Sequence, residues 1–375
     1  MLSNLLQHTR AHLGVPVKTG FLSRSPPTHI NAHKHVPAVF SNTWYGIYGL
    51  KSKRPPLVCL HGGPGGNSTG LIRTLKALSK DRQIIFYDQY GSGKSNFNPQ
   101  QQQQQQQPEQ KNPYNPYNPY NPYNPYKTEY YVDELRMVLD TLAPQGAHIL
   151  GHSWGNVPLF EHLVNDGQCV SAVFGSPLLD SQRWMNDATR LLLDLPISKN
   201  ATIIEMVKLK ISHDFYVKEK RTEKEEEYLI KYGPAMDAFY QKHCFGKDGA
   251  PPKVPFLYHF GNLISYFISR PKFPDKLGDA YLEMWGPTEM QCTGTLKEYS
   301  ATARLFQLAH VPVLLTCGRD DTATPETMTH FAKMMGENAT VEIFEESAHS
   351  PHRSENIKYQ QVLNEFFNQV EGRRK

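Results

Sequence analysis

A serine framed by glycines, Gly151-His152-Ser153-Trp154-Gly155, is where residue type and spacing in this chain first suggest chemistry. A serine hydroxyl attacks a carbonyl only when a neighbouring base takes its proton and its backbone presents it at a sharp bend. Glycines two positions to either side let a strand turn abruptly into a helix without side-chain clash. The apolar residues 147–150 run directly into this turn, and Val157, Leu159, Phe160 and Leu163 follow it at helical spacing. Alone, the pentapeptide also fits an ordinary turn. The flanking strand and helix are the context a nucleophile requires.

Negative charge developing on an attacked carbonyl oxygen needs hydrogen-bond donors already in place. The N–H of Trp154, next to the serine, is one candidate. The other lies in His61-Gly62-Gly63-Pro64-Gly65-Gly66, which follows the apolar run Leu57–Leu60, with Gly63 the expected donor. That loop lacks the Gly-Lys-Ser/Thr ending of a phosphate-binding loop. For a carboxylate that orients a base, Asp320 and Asp321 compete in Gly318-Arg319-Asp320-Asp321-Thr322-Ala323-Thr324-Pro325, after the apolar residues 311–316. Of sixteen histidines, His349 is the expected base, because it follows the last apolar run, 341–344, and precedes the last helical pattern; His352 is a weaker neighbour. Serine, aspartate and histidine in that chain order suit the α/β-hydrolase arrangement of a nucleophile, an acid and a base.

The elements that must hold these residues are short apolar runs alternating with helical patterns. Runs at 57–60, 83–87, 147–150, 170–174, 311–316 and 341–344 read as buried, mostly parallel strands. Val132, Leu135, Leu139 and Leu142, and later Tyr359, Val362, Leu363, Phe366 and Val370, recur at helical spacing. The expected fold class is α/β, an α/β-hydrolase with a doubly wound sheet and an inserted, mostly helical cap. The expected divisions are an N-terminal extension at 1–40, core at 41–177, cap at 178–299 and core again at 300–375. Cap helices are expected at 202–211 and 224–232, with joints at Pro251, Pro252 and Pro255.

Within the first core part, Gln100 to Gln107 form an unbroken glutamine run and Asn-Pro-Tyr repeats five times over 112–126. Proline at every third position removes backbone donors and fixes φ, so a disordered or polyproline-like surface loop is expected. Deleting 99–126 and closing the gap with a short Gly/Ser linker should leave turnover unchanged. Thermal stability and activity of the deletion check this, and a collapse of both would contradict it.

Forty Lys and Arg against thirty-six Asp and Glu, a net +4, give no argument for a nucleic-acid or membrane partner. Five scattered cysteines show neither metal-ligand spacing nor a paired framework, which suits a reducing, cytoplasmic setting. No apolar run is long enough to span a bilayer. The first acidic residue is Asp81, and Arg10, Lys18, Arg24 and Lys34 give the N-terminus a transit-peptide flavour, although Pro16, Pro26 and Pro27 would interrupt a targeting helix.

The sequence resembles the proline iminopeptidase (prolyl aminopeptidase) family from about Trp44 to Glu371. The resemblance rests on His61-Gly62-Gly63-Pro64-Gly65, on Phe86-Tyr87-Asp88-Gln89-Tyr90-Gly91-Ser92-Gly93-Lys94-Ser95, on the serine pentapeptide and on Gly318-x-x-Asp321-x-x-Thr324-Pro325. It also includes Met284-Trp285-Gly286-Pro287-Thr288-Glu289, followed by Thr293-Gly294-Thr295-Leu296-Lys297. It implies Asp321 as the acid and Glu289 as a carboxylate for a substrate's free amino group. Three departures stand out. Asn156 replaces a glycine that often follows the serine turn. No clean second amine-binding glutamate is found near Phe239-Tyr240-Gln241-Lys242-His243-Cys244, where Asp237 is nearest in kind. Phe245 and Gly246 stand where an arginine is expected.

The implied activity is a serine exopeptidase that releases an N-terminal residue, proline favoured, from a small peptide or amino-acid amide without metal or organic cofactor. The other readings are an esterase or amidase whose substrate has no free amine, and a non-catalytic binding protein on a hydrolase scaffold. Glu289 could instead cap a helix or pair with Lys297. Trp285, Phe239 and Tyr240 are either walls of a pyrrolidine pocket or ordinary cap core. Asp88 reads as a structural carboxylate organising its own loop.

Overall fold

The computed structural model describes residues 7, 9–11, 14–23, 42–96, 126–198, 221–246 and 277–373. The glutamine run, almost all of the Asn-Pro-Tyr repeats, the 202–211 segment and Pro251, Pro252 and Pro255 lie outside them. The chain divides into two compact units, Met1–Ala172 and Val173–Lys375.

In the first unit, strands β1 (Lys18–Ser23), β2 (Asn42–Tyr48), β3 (Leu57–Leu60), β4 (Ile84–Tyr87) and β5 (His148–His152) are ordered β1-β2-β4-β3-β5. β3 runs parallel to β4 and β5, placing Cys59 between Phe86 and Leu150. All four β3 residues are buried, as expected of a strand covered on both faces, which explains an apolar run without alternation. β2 is antiparallel to both its neighbours. Neither β1 nor β2 stands out as an apolar run. Four β1 residues are exposed, and Thr43 and Gly46 interrupt β2.

The helices of this unit include α1 (Thr69–Leu75), α2 (Thr128–Leu142) and α3 (Asn156–Val164). Val132, Leu135 and Leu139 of α2 are buried, and α2 packs on α3, which packs on β5. Strand β6 (Ser171–Gly175), buried throughout, contains the division between the units.

In the second unit, β7 (Val313–Gly318) and β8 (Ala339–Phe344) pair in parallel. The Ser176 N–H, just after β6, donates to Thr316 O of β7 at 2.7 Å. The helices here include α4 (Ser181–Leu193), α5 (Glu223–Phe239), α6 (Leu277–Met284), α7 (Pro325–Met335) and α8 (Asn356–Arg373). α5 starts at a capping box in which Thr222 accepts from the Glu225 N–H and the Glu225 carboxylate accepts from the Thr222 N–H at 2.8 Å. Its residues Tyr228, Tyr232, Met236 and Phe239 repeat at helical spacing and bury against Ala188, Leu192 and Leu195. Burying Met236 and Phe239 stabilises this pairing by about 1.5–3 kcal/mol each.

A π-helical turn, Tyr240–Phe245, continues α5 and ends at Gly246, whose φ is 70°. In α8 the fully buried stripe is Tyr359, Leu363, Phe367 and Val370, so Phe367 replaces the expected Phe366. Steps of four, four and three keep those residues on one face of a 3.6-residue helix.

Candidate active site

Ser153 lies at the end of β5, at the first residue of a 3-10 turn that leads into α3. Its φ is 54°, the left-handed region that non-glycine residues seldom occupy and that recurs at functional sites. The glycines around it are required by contact. A Cβ on Gly151 would come within 2.8 Å of Gly155 O, and one on Gly155 within 2.7 Å of Leu60 O. Asn156, where the resemblance expects glycine, is buried and donates from Nδ2 to Ser153 O at 3.0 Å. Its side chain therefore braces the bend.

The His61–Gly66 loop belongs to the same unit. Gly63 has φ 137°, and a Cβ there would lie 2.6 Å from Gly66 N; its bond to Pro64 is cis. Gly62 is close to the nucleophile, since a Cβ on it would come within 3.1 Å of Ser153 Cβ. His61 is buried, which pushes its pKa below the ordinary histidine value and keeps the ring neutral. Its Nε2 accepts from the Gln89 N–H at 2.9 Å, so Nδ1 carries the proton and donates to Gly62 O at 2.8 Å.

The Gln89 side chain makes two further bonds, donating to His61 O at 2.6 Å and accepting from the Trp154 indole N–H at 2.8 Å. Asp88 accepts from the Ser68 N–H at 2.8 Å, the Ser68 hydroxyl at 2.6 Å and the Lys94 N–H at 2.8 Å. Those bonds join its own loop, through Lys94, to Ser68 at the start of α1, a structural use of the carboxylate.

In the second unit Asp321 follows β7 and is buried. Its Oδ1 accepts from His349 Nδ1 at 2.8 Å and from the Ala323 N–H at 2.9 Å, while Oδ2 accepts from the Ser176 hydroxyl at 2.6 Å. Asp321, rather than Asp320, therefore meets His349. The backbone carbonyl of Asp320 instead accepts from His243 Nδ1 at 2.7 Å. His352 turns away, with its ring against Tyr359 at 6.0 Å.

Burial alone would lower the His349 pKa. The Asp321 charge, its hydrogen bond and the Glu289 charge outweigh burial and raise it above 6.5. With Nδ1–H donated to Asp321, Nε2 is the ring nitrogen that carries the lone pair and can take a proton.

Glu289 sits in a turn of the same unit. Its Oε2 accepts from Trp184 Nε1 at 2.8 Å and Oε1 accepts from the Tyr281 hydroxyl at 2.7 Å. Both donors are neutral. Among the described residues no lysine or arginine, Lys297 included, forms an ion pair with it, and it caps no helix. A carboxylate that accepts from two neutral donors has spare lone pairs for a cation.

Trp184 also stands edge-on to His349, ring centres 5.4 Å apart, and to Trp285 at 6.3 Å. Trp285 is buried and its indole donates to Thr288 O at 2.9 Å. Phe239 is wholly buried in the α4–α5 core, with Tyr240 packed against that cluster. Asp237 is half-buried in the last turn of α5.

Trp184 and Ser176 belong to no residue pattern, and the 86–95 motif that contains Gln89 does not show what its side chain touches, because each acts through a contact distant in sequence. Ser176 has a φ of 45° just after β6. Burial raises the thiol pKa values of Cys59, Cys244, Cys292 and Cys317, so none of the four is an activated thiolate to rival the serine. Among the described residues no group of three or more His, Cys, Asp or Glu is placed to hold a metal, and no helix is long and apolar enough to cross a membrane.

Residues 55–157 match the family model described as the alpha/beta hydrolase fold. A proline iminopeptidase of Heyndrickxia coagulans is 30% identical over 316 residues, covering 84% of this chain and 91% of the relative. A proline iminopeptidase of Lactobacillus delbrueckii subsp. bulgaricus is 29% identical over 343 residues, covering 89% of this chain and 96% of its own. Among solved structures, the proline iminopeptidase of Mycobacterium smegmatis aligns with a TM-score of 0.67 at 22% identity, over 91% of this chain and 99% of that one, a likeness of fold. With the identity to the Heyndrickxia relative extending over most of both chains, this chain is a hydrolase belonging to the proline iminopeptidase family of the α/β-hydrolase fold.

Proposed function

We propose that this protein is a serine exopeptidase that releases an N-terminal residue, proline favoured, from short peptides or amino-acid amides. The Ser153 hydroxyl attacks the carbonyl carbon as His349 Nε2 takes its proton, and Asp321 stabilises the imidazolium that forms. The N–H groups of Trp154 and Gly63 hold the oxyanion. His349 then gives its proton to the departing amine, leaving an acyl-enzyme. Water, deprotonated by His349 in its turn, releases the residue and restores Ser153. No step requires a metal or organic cofactor.

The observation that carries the exopeptidase reading is Glu289, a carboxylate with two neutral donors and no ion-pair partner among the described residues, whose charge acts on His349. An α-ammonium is the complementary ligand. It would fix the first residue of a peptide so that only the first carbonyl reaches the nucleophile. The preference for proline is supported by the names of the relatives and by the Trp184 indole on the carboxylate, with Trp285 packed edge-on to Trp184. Of the carboxylates considered for the ammonium, the reading rests on Glu289, with Asp237 as a secondary candidate.

A panel of aminoacyl fluorogenic amides, each free and N-acetylated, tests the function. Cleavage of free forms only, fastest for proline, is expected. Hydrolysis of simple esters with none of the amides would select the esterase reading instead.

The His349 environment also sets a pH dependence. Only the neutral imidazole acts as a base, and its pKa is raised above 6.5, so activity should fall with acid through a midpoint above 6.5. The profile of kcat/KM for an uncharged ester, free of substrate titration, measures it. A midpoint below 6.5 would show that the Asp321 and Glu289 charges do not dominate.

A further inference from the structure

Three bonds converge on Gln89, which is only 1% exposed. Its Oε1 accepts from Trp154 Nε1 at 2.8 Å, its Nε2 donates to His61 O at 2.6 Å, and its backbone N–H donates to His61 Nε2 at 2.9 Å. One carboxamide thus joins the residue after the nucleophile to the start of the glycine loop. We propose that Gln89 is a positioning residue for the oxyanion hole, its carboxamide setting the separation between the Trp154 and Gly63 backbone N–H groups.

This rests on the assignment of those two N–H groups in the preceding section. The geometry supports a rigid spacer. The Trp154 indole is wholly buried and meets Tyr131 edge-on at 5.3 Å, so its one polar atom has a fixed direction. On the other side, His61 is held in a single tautomer by Gln89 N–H and Gly62 O, and Gly63 follows within two residues. The amide also cannot be reversed. Turned over, its NH2 would face the indole donor and its oxygen would face the His61 carbonyl, leaving two buried clashes. Neither bonded segment is adjacent to Gln89 in sequence, and neither makes direct use of it in the chemistry.

The test is Gln89→Met, which keeps length and volume but makes no such bonds, with Trp154→Phe as a second variant that removes the indole N–H together with part of the ring. Four quantities are measured: kcat, KM, the affinity of an aminoacyl aldehyde that forms a tetrahedral adduct with the serine, and the affinity of the free amino-acid product, which makes none. A misplaced oxyanion donor penalises the transition state and its mimic together, so kcat and aldehyde affinity should each fall about tenfold in Gln89→Met. KM and product affinity should barely move, while the melting temperature falls because the Trp154 indole N–H and the His61 carbonyl are left buried without this partner. Trp154→Phe should show a parallel loss, and the double variant should lose less than the sum of the two, because both substitutions break the Trp154–Gln89 bond.

Unchanged aldehyde affinity in both variants would overturn the proposal while leaving the serine mechanism standing. An equal fall in product and aldehyde affinity would overturn it in favour of a purely structural role. Absence of any aldehyde adduct in the unsubstituted enzyme would overturn the serine reading itself, and this proposal with it.

Discussion

Ser153→Ala and His349→Ala are each expected to lower turnover by about four to six orders of magnitude, because nucleophile and base act as one unit and removing either stops both. Circular dichroism and melting temperature should stay close to those of the unsubstituted protein. Ser153 contributes only a hydroxyl to the bend, whose shape depends on Gly151, Gly155 and the Asn156 bond to Ser153 O. The His349→Ala variant removes the partner of Asp321, but Ser176 and the Ala323 N–H still satisfy that carboxylate. The double variant should be no slower than either single one. Residual turnover above a few per cent in either would mean that another group carries the chemistry.

Glu289→Gln is expected to lower kcat/KM for unblocked substrates about ten- to a hundred-fold, the effect of losing a charge-assisted bond of about 1.5–3 kcal/mol. The carboxamide keeps the shape of the side chain and an oxygen for the Trp184 or Tyr281 bond. A small ester without an amine should change little. Measured at the same pH, that ester also registers any loss arising through His349, whose pKa the Glu289 charge helps to raise. Equal losses on both substrates would make Glu289 a packing residue and remove the main support for an exopeptidase.

Much of this was legible in the sequence, for reasons that particular residues make clear. The six expected strands appear within two residues of their positions, because a buried strand such as Leu57–Leu60 declares itself by composition alone. β1 and β2 escaped notice because half-exposed or interrupted strands carry no such run. Among the site residues, Ser153 and Gly63 have local signatures, a bend between glycines and a glycine-rich loop. Asp321 and Asp320 were separable only through the family resemblance, and the 2.8 Å contact with His349 Nδ1 distinguishes them physically.

Trp184 and Ser176 belong to no sequence pattern, and the motif around Gln89 does not show what its side chain touches. Trp184 meets Glu289 across 105 positions, Ser176 meets Asp321 across 145, and Gln89 meets Trp154 across 65. Phe239 looked equally suited to a pocket or a core, and full burial among the α4 and α5 side chains assigns it to the core. Tertiary contacts between such distant positions arise only once the helices and strands have packed.

The most direct test of the central claim is covalent labelling with a fluorophosphonate, read by mass spectrometry of the intact protein and its peptides. A single adduct on Ser153 is predicted, formed in step with loss of amide hydrolysis, slowed by a free aminoacyl amide and absent from Ser153→Ala. An enzyme that keeps full activity without an adduct, or carries its adduct elsewhere in the chain, would contradict the account.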